Sequence, residues 1–403
     1  MSISFAVLIS LITQGAETSQ SLKSDIGSFF PFLDAYAGNS ACPLSYLSGT
    51  WPDREAWRKQ GRNKMFELLR YGPKPAPNDA EILETTKKDG YTRYLVRYSV
   101  TSDRKTEAYL LIPDGLTKPA PAVLALHCHS GFYYYGKEKI TETEHPPKIL
   151  QDLINGTYGG RPFADELARR GFVVLVPDAF YFGSQRIQPD SMPEERIAGL
   201  KKFKPGSDDY IRTFNMYSGR QEELTAKSIF AAGSTWPGIL FQGDRASVDY
   251  LLTRPEVDPN RIGCMGLSIG GFRSAHLFAL DPRIKVGVAA GWMVTYRSLL
   301  FDHVKNHTWM VYIPGQEAFL DLPDVVTLNA PNPLMVINCS QDNLFSMDGM
   351  KAAESKIAEI YSRMGASDRF RCNYYDEPHS LKIPAQNDAI AWLEHWLKSG
   401  VSL

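Results

Sequence analysis

One serine of this sequence lies in a glycine-rich turn whose residue types suit nucleophilic chemistry. Residues 266–270 read Gly-Leu-Ser-Ile-Gly, and they stand between an apolar run and a stretch with helical character. In a strand–turn–helix corner of this kind the serine adopts a strained backbone conformation, and the glycines leave room where a Cβ would collide with neighbouring segments. A glycine-rich turn without chemistry is the alternative, because the pattern is short. We predict that Ser268 is a nucleophile.

A nucleophilic serine needs a base to remove its proton and an acid to orient that base. Asp342 and His379 each follow an apolar run that has the character of a strand, and both lie after Ser268 in the chain. The order serine, aspartate, histidine is one in which a serine corner of this kind receives its partners. We predict His379 as the base and Asp342 as the orienting acid, with Asp348 and Asp376 as alternatives for the acid.

Acyl transfer also needs N–H donors for the oxyanion that develops on the carbonyl. One donor is predicted to be the backbone N–H of Ile269, directly after the nucleophile. The other should come from the loop that begins His-Cys-His-Ser at 127–130, with His129 as first candidate and Ser130 as second. Two histidines at this spacing could instead share a metal ion. The following residues, Ser-Gly-Phe-Tyr-Tyr-Tyr-Gly, add no ligand, so no metal site is predicted.

Aromatic residues crowd the loops around these candidates. Taken singly, each could belong to the core, but several in loops at one sheet edge favour a wall with stacking faces for a substrate. We predict that Trp236, Trp292 and Phe182 line the substrate pocket.

Alternating apolar and helical segments predict the elements that position these groups. Two runs with a period of two, 91–100 and 107–113, predict a hairpin. The later runs are apolar on both faces and alternate with helical stretches, which predicts a mainly parallel sheet with helices on both faces. The later strand candidates are 121–127, 171–178, 261–266, 284–290, 332–340 and 369–376.

The chain is predicted to have three parts. Residues 1–16 form a signal peptide or an N-terminal helix, residues 17–90 form a helical appendage, and residues 91–403 form the catalytic domain. Long stretches without a clear period are typical of lids and pocket walls. Three insertions of this kind are predicted, at 128–160, 179–240 and 304–330.

Composition excludes several kinds of partner. The net charge is −1, with 44 basic and 45 acidic residues, so nucleic acid is not an expected partner. Five scattered cysteines indicate neither a zinc cluster nor a disulfide framework. The apolar run at 3–12 is too short to span a membrane. The protein is expected to be secreted or periplasmic if residues 1–16 are a signal peptide, and cytoplasmic otherwise; its oligomeric state stays open.

Three stretches carry a resemblance to a known family: "VLALHCHSG", "GFVVLVPDAFYFGSQR" and residues 233–293 around the serine corner. They resemble the dienelactone hydrolase-like and acetyl xylan esterase-like branch of the α/β-hydrolases, over roughly residues 40–400. The resemblance implies an α/β-hydrolase fold and hydrolysis of carboxylic esters without a cofactor, with Ser268, Asp342 and His379 as the triad. Dienelactone hydrolases proper use a cysteine nucleophile, so a serine at this position favours an esterase.

The predicted function is that of a serine carboxylesterase acting on short-chain acyl esters, with acetylated carbohydrates such as xylan fragments as a candidate substrate. A serine peptidase of the prolyl oligopeptidase type is an alternative, but about ninety N-terminal residues cannot form the propeller of such enzymes. A non-catalytic binding protein on a hydrolase fold is a second alternative, and it is disfavoured because no member of the triad is missing.

Overall fold

A mixed sheet of nine strands organises the computed structural model, which describes residues 23–49, 51–72 and 76–399. The predicted leader at 1–16 lies outside these residues. None of the described helices is both long and apolar enough to cross a membrane. The strands are β1 Glu81–Lys88, β2 Tyr91–Ser99, β3 Lys105–Pro113, β4 Ala120–Leu126, β5 Val173–Pro177, β6 Val257–Leu267, β7 Ile284–Ala290, β8 Leu334–Cys339 and β9 Phe370–Tyr375.

The sheet is antiparallel at one side and parallel through the rest. Its order is β1-β2-β3-β5-β4-β6-β7-β8-β9, and the steps from β1 to β5 are antiparallel. All steps from β5 to β9 are parallel. The predicted hairpin, the six later strands and the mainly parallel sheet are therefore confirmed.

Helices surround this sheet. They are α1 Phe30–Gly38, α2 Arg54–Leu68, α3 Lys148–Tyr158, α4 Phe163–Arg169, α5 Glu194–Ile197, α6 Asp208–Ala231, α7 Trp236–Leu251, α8 Ile269–Leu280, α9 Tyr296–Leu299, α10 Leu322–Val326, α11 Met347–Arg363 and α12 Ile383–Lys398.

Successive residues of β4 show that both faces of the sheet are covered. Ala122 and Leu124 belong to the apolar cluster that contains side chains of α7 and α8. Val123 and Ala125 belong to a second cluster, with side chains of α4 and α12. Because neighbouring residues of a strand point to opposite faces, helices cover the sheet on both sides, as predicted.

Strand β1 lies within the range predicted as an appendage, and its apolar pattern did not predict a strand. It pairs antiparallel with β2 and extends the sheet by one strand. Most of its residues are exposed. An edge strand with no buried face carries no alternating apolar signal, which explains why β1 was missed.

The register of the parallel strands brings the loops that follow them to one edge of the sheet. Leu126 of β4 lies opposite Gly266 of β6, and Gly266 lies opposite Ala289 of β7. On the other side, Cys339 of β8 lies opposite Tyr375 of β9. The segments that follow β4, β6, β8 and β9 therefore leave the sheet at the same edge.

Candidate active site

Ser268 occupies the turn between β6 and α8 and has a strained backbone. Its φ is 63° and its ψ is −122°, a region that residues with a Cβ rarely adopt. The backbone N–H of Ser268 donates to the carbonyl oxygen of Ala290 at 2.8 Å. The Ser268 side chain is partly exposed. The turn thus presents a hydroxyl at the carboxyl edge of the sheet.

Glycines allow this turn to lie directly against its neighbours. A Cβ at Gly270 would collide with the carbonyl oxygens of Leu126 and His127, where β4 ends. A Cβ at Gly271 would collide with the carbonyl oxygen of Ala290, where β7 ends. The serine turn is therefore packed between the ends of β4 and β7, the strands on either side of β6. The loop after β4 begins beside it.

His379 and Asp342 form a hydrogen-bonded pair at this edge. Nδ1 of His379 donates to Oδ2 of Asp342 at 2.6 Å, while Oδ1 of Asp342 accepts the N–H of Leu344 at 2.9 Å. The His379 ring lies against Gly291, where an added Cβ would come within 2.8 Å of Cε1. With Nδ1 donating, Nε2 is left as the proton acceptor. Nε2 is buried and has no hydrogen-bond partner among the described residues.

The two alternative acids have other surroundings. Asp348 is exposed in the first turn of α11. Asp376 accepts hydrogen bonds from the Ser340 hydroxyl and the Gln341 amide, and these bonds lower its pKa. Of the three carboxylates, Asp342 is the one that the structure brings to His379.

The loop after β4 makes a tight turn at the predicted oxyanion donors. Ser130 and Gly131 have φ values of 52° and 61°, and the N–H of Phe132 donates to the carbonyl oxygen of His129 at 3.0 Å. The other predicted donor, the N–H of Ile269, is the first of α8 and has no acceptor within that helix.

The side chains of His127 and His129 have separate partners. Nε2 of His127 accepts the N–H of Ala179 at 3.2 Å, and burial lowers the pKa of this imidazole well below its usual value. Nδ1 of His129 accepts the N–H of Gly131 at 2.9 Å, and its Nε2 donates to Glu222 at 2.8 Å. Both rings are engaged by the protein itself, and each is held in one tautomer.

Glu222 is a site residue that the sequence did not reveal. Its carboxylate accepts hydrogen bonds from His129, from the Tyr133 hydroxyl at 2.6 Å and from the Thr308 hydroxyl at 2.7 Å. These bonds outweigh the effect of burial and lower the pKa of Glu222. It belongs to α6, inside the predicted insertion 179–240, and Thr308 belongs to the predicted insertion 304–330. The one feature of the sequence that could have indicated Glu222 is its helical spacing from the apolar residues of α6.

Two of the three predicted pocket aromatics lie near the candidate site residues. Trp292 packs edge-on against Phe345, whose ring centroid is 6.2 Å from that of His379. Phe182 packs edge-on against both histidine rings of the loop after β4, with ring centroids 5.1 Å from His127 and 5.5 Å from His129. Trp236 packs against Phe180 and Tyr181 instead. All three side chains are buried.

A serine in a strand–turn–helix corner, followed in the chain by an acid and a histidine at the same edge of a mainly parallel sheet, defines an α/β-hydrolase. The chain belongs to the dienelactone hydrolase family, whose family model matches residues 157–365. The resemblance identified from the sequence is therefore confirmed, and the chain is a carboxylic ester hydrolase.

Individual proteins with a similar sequence or structure agree with this assignment. A protein of Bacillus subtilis (strain 168) named "Putative hydrolase YtaP" is 25% identical over 341 residues, which cover 84% of this chain and 100% of that protein. The crystal structure of a "putative acetyl xylan esterase" from Bacteroides fragilis NCTC 9343 has a TM-score of 0.66 at 16% identity, covering 92% of each chain. A glucuronoyl esterase from Solibacter usitatus has a TM-score of 0.55 at 16% identity, covering 87% of this chain and 95% of that one. At these identities the two structures establish the fold.

Proposed function

We propose that this protein is a serine carboxylesterase for short-chain acyl esters, with Ser268 as nucleophile, His379 as base and Asp342 as orienting acid. The hydrogen bond of 2.6 Å between Asp342 and His379 carries this proposal, because it leaves Nε2 of His379 as the proton acceptor. The contact of the His379 ring with Gly291, next to the residue that accepts the Ser268 N–H, supports it further.

The reaction follows from these roles. Nε2 of His379 takes the Ser268 proton as Oγ attacks the ester carbonyl, and the N–H groups of Ile269 and His129 receive the oxyanion. The imidazolium, stabilised by Asp342, then gives its proton to the leaving alcohol as the C–O bond breaks. Water, deprotonated by His379, attacks the acyl-enzyme, and Ser268 recovers its proton as the acid leaves.

Acetyl groups on carbohydrates are the proposed substrate class. The aromatic surroundings of the site support this class, since Trp292 lies close to the His379 side of the site. The name of one similar solved structure, a putative acetyl xylan esterase, supports acetyl groups, and that of the other, a glucuronoyl esterase, supports a carbohydrate ester more generally.

The proposal is tested by the hydrolysis of p-nitrophenyl acetate and of acetylated xylo-oligosaccharides by the wild type and Ser268→Ala. We expect both activities in the wild type and a fall of about 10⁴-fold or more in kcat/KM for the variant, because the nucleophile is removed. Ser274→Ala is the matched control, since Ser274 lies buried in α8, the helix that follows Ser268, and its hydroxyl donates to the carbonyl oxygen of Val288 at 2.9 Å.

Each outcome of this experiment has a defined meaning. Undiminished hydrolysis by Ser268→Ala would overturn the serine mechanism. Hydrolysis of p-nitrophenyl acetate alone would keep the mechanism and remove the carbohydrate substrate. If neither ester is hydrolysed, a further assay in which the wild type cleaves proline-containing peptides would favour the peptidase alternative.

A further inference from the structure

A buried lysine lies beneath the loop that carries the predicted second oxyanion donor. Lys139 ends a short 3₁₀ turn, Lys137–Lys139, and its side chain has no exposed surface. Its ammonium group donates to the carbonyl oxygens of Cys128 at 2.6 Å, Phe132 at 3.0 Å and His129 at 3.3 Å. An ammonium group has three N–H donors, so every donor has a carbonyl of this one loop as its partner.

Stability alone is a poor explanation for this lysine. Moving a charged ammonium group out of water is costly, and the partners of Lys139 are neutral carbonyl oxygens. Burial accordingly lowers the pKa of Lys139 to about 8. The ammonium also lies 4.5 Å from the centre of the Phe182 ring, a contact that offsets part of this cost.

The planarity of the peptide bond links the lysine to the oxyanion donor. The carbonyl of Cys128 and the N–H of His129 belong to the same peptide unit and point in opposite directions. Because Lys139 binds that carbonyl at 2.6 Å, the His129 N–H is directed away from the lysine. A cation on the oxygen also polarises the amide and makes its N–H a stronger donor.

The same argument applies to the second candidate donor. The carbonyl of His129, which Lys139 contacts at 3.3 Å, shares a peptide unit with the N–H of Ser130. Nδ1 of His127 also contacts the Cys128 carbonyl, at 3.0 Å, and helps to hold that peptide unit. Both candidate N–H groups are thus oriented through carbonyls that the ammonium group binds.

We propose that Lys139 is a positioning residue for ester hydrolysis, which orients and polarises the oxyanion-binding N–H of the loop after β4 by binding the carbonyl on its peptide unit. This inference rests on the proposed serine esterase function.

Lys137 offers a matched control within the same turn. Its side chain is 5% exposed, so it is nearly as buried as Lys139. Its ammonium group binds the carboxylates of Asp178 and Glu138, each at 2.9 Å. A change at Lys137 removes a buried charge from the same turn but leaves the partners of Lys139 in place.

The test compares wild type, Lys139→Met and Lys137→Met in p-nitrophenyl acetate hydrolysis and in inhibition by a trifluoromethyl ketone. This inhibitor forms a tetrahedral adduct with the serine and places an oxyanion where the N–H donors bind it. For Lys139→Met we expect kcat to fall by about 10²-fold with KM little changed, because a donor misplaced by about 1 Å costs that much. The Ki of the ketone should rise by a similar factor.

The control should behave differently. Lys137→Met is expected to lower the melting temperature at least as much, because it leaves Asp178 without its buried partner, while kcat and Ki stay within about threefold of the wild type. All assays are run at a temperature at which circular dichroism shows folded protein. If Lys139→Met does not fold, Lys139→Gln, which keeps two N–H donors without the charge, should show a smaller loss in the same two quantities.

The results separate this inference from the proposed function. If the wild type depends on Ser268 but Lys139→Met keeps its kcat and Ki, the role of Lys139 is overturned and the esterase stands. Equal losses of kcat and Ki in Lys137→Met would also overturn it, because the effect would not be specific to the loop. If the wild type shows no Ser268-dependent ester hydrolysis, the proposed function fails and this inference fails with it.

Discussion

Ser268 has its strained backbone, with a positive φ, in a turn that is packed tightly against its neighbours. Gly270 and Gly271 bring α8 against the ends of β4 and β7, and Gly291 makes room for the imidazole of His379. Each of these close approaches excludes a side chain larger than hydrogen. The geometry of the site therefore depends on the absence of a Cβ at three glycines as well as on the hydrogen bonds of the polar side chains.

The predicted pocket aromatics can be distinguished by their effects on selectivity. Trp292 packs beside Phe345 and His307 near His379, whereas Trp236 packs in the core against Phe180. We expect Trp292→Ala to raise kcat/KM for p-nitrophenyl butyrate relative to the acetate, since it vacates space next to the site. Trp236→Ala should leave this ratio unchanged and lower the free energy of unfolding by about 3–5 kcal/mol, as for other buried aromatic truncations.

Steady-state kinetics on both esters and urea denaturation give the two quantities. An unchanged ratio in Trp292→Ala would mean that this tryptophan is part of the core and does not line the pocket.

At the scale of elements, α6 reaches from one predicted insertion to the loop after β4. The carboxamide oxygen of Asn215 accepts the N–H groups of Tyr133 and Tyr134. Two turns further along the helix, the carboxylate of Glu222 accepts hydrogen bonds from His129 and Tyr133. Helix α6 thus holds the loop at His129, Tyr133 and Tyr134, while Lys139 holds it through the carbonyl of Cys128.

Removal of the Glu222 carboxylate tests this contact. Glu222→Ala leaves the donors of His129, Tyr133 and Thr308 without their acceptor, so we expect a loss of about 3 kcal/mol in the free energy of unfolding and a lower kcat. Glu222→Gln keeps an acceptor oxygen and should recover part of both. Glu223→Ala is the control, because Glu223 is exposed and pairs with Lys227 at the surface.

Denaturation curves and p-nitrophenyl acetate kinetics check the expectation. If Glu222→Ala matched Glu223→Ala in both, α6 would have no part in holding the loop.

The sequence was sufficient to predict that the segments carrying Ser268, Asp342 and His379 share one edge, because each follows an apolar strand of a parallel sheet. It was not sufficient for Glu222 or Lys139. The partner of Glu222, His129, is 93 residues away, and the partners of Lys139 are backbone carbonyls, which leave no trace in residue types.

Helix α6 itself was missed for a related reason. Its buried residues follow helical spacing, but Asn215, Ser218 and Glu222 are among them. These polar residues interrupt the apolar stripe from which a helix is predicted, and two of them are buried because they bind the loop. The polar residues through which the helix binds the loop therefore masked the apolar periodicity that would have predicted the helix.

At the scale of the whole molecule, buried histidines make stability depend on pH. Burial lowers the pKa of His276 in α8 and of His307 to about 4, and that of His127 falls as well. The unfolded chain binds these protons near pH 6.5, before the folded chain does. The stability that the folded state gains from keeping these histidines neutral is therefore complete above about pH 6.5, and it is lost as the pH falls through about 4.

His276→Met should weaken this dependence. We expect the loss of unfolding free energy between pH 7 and pH 4 to be smaller by about 3 kcal/mol than in the wild type, because one histidine no longer titrates. The comparison needs urea denaturation at a series of pH values. His395→Met on the exposed side of α12 serves as control and should follow the wild type. A wild-type slope in His276→Met would show that this histidine does not contribute.

The path of α6 has a consequence for recombination between members of this family. The 24-residue helix lies in a segment predicted to be an insertion, yet its Asn215 and Glu222 bind loop residues that precede them by more than eighty positions. Exchanging the segment to alter substrate preference would also remove the groups that hold the loop after β4. A chimera built at the ends of this insertion therefore has to inherit His129, Tyr133 and Glu222 from the same parent.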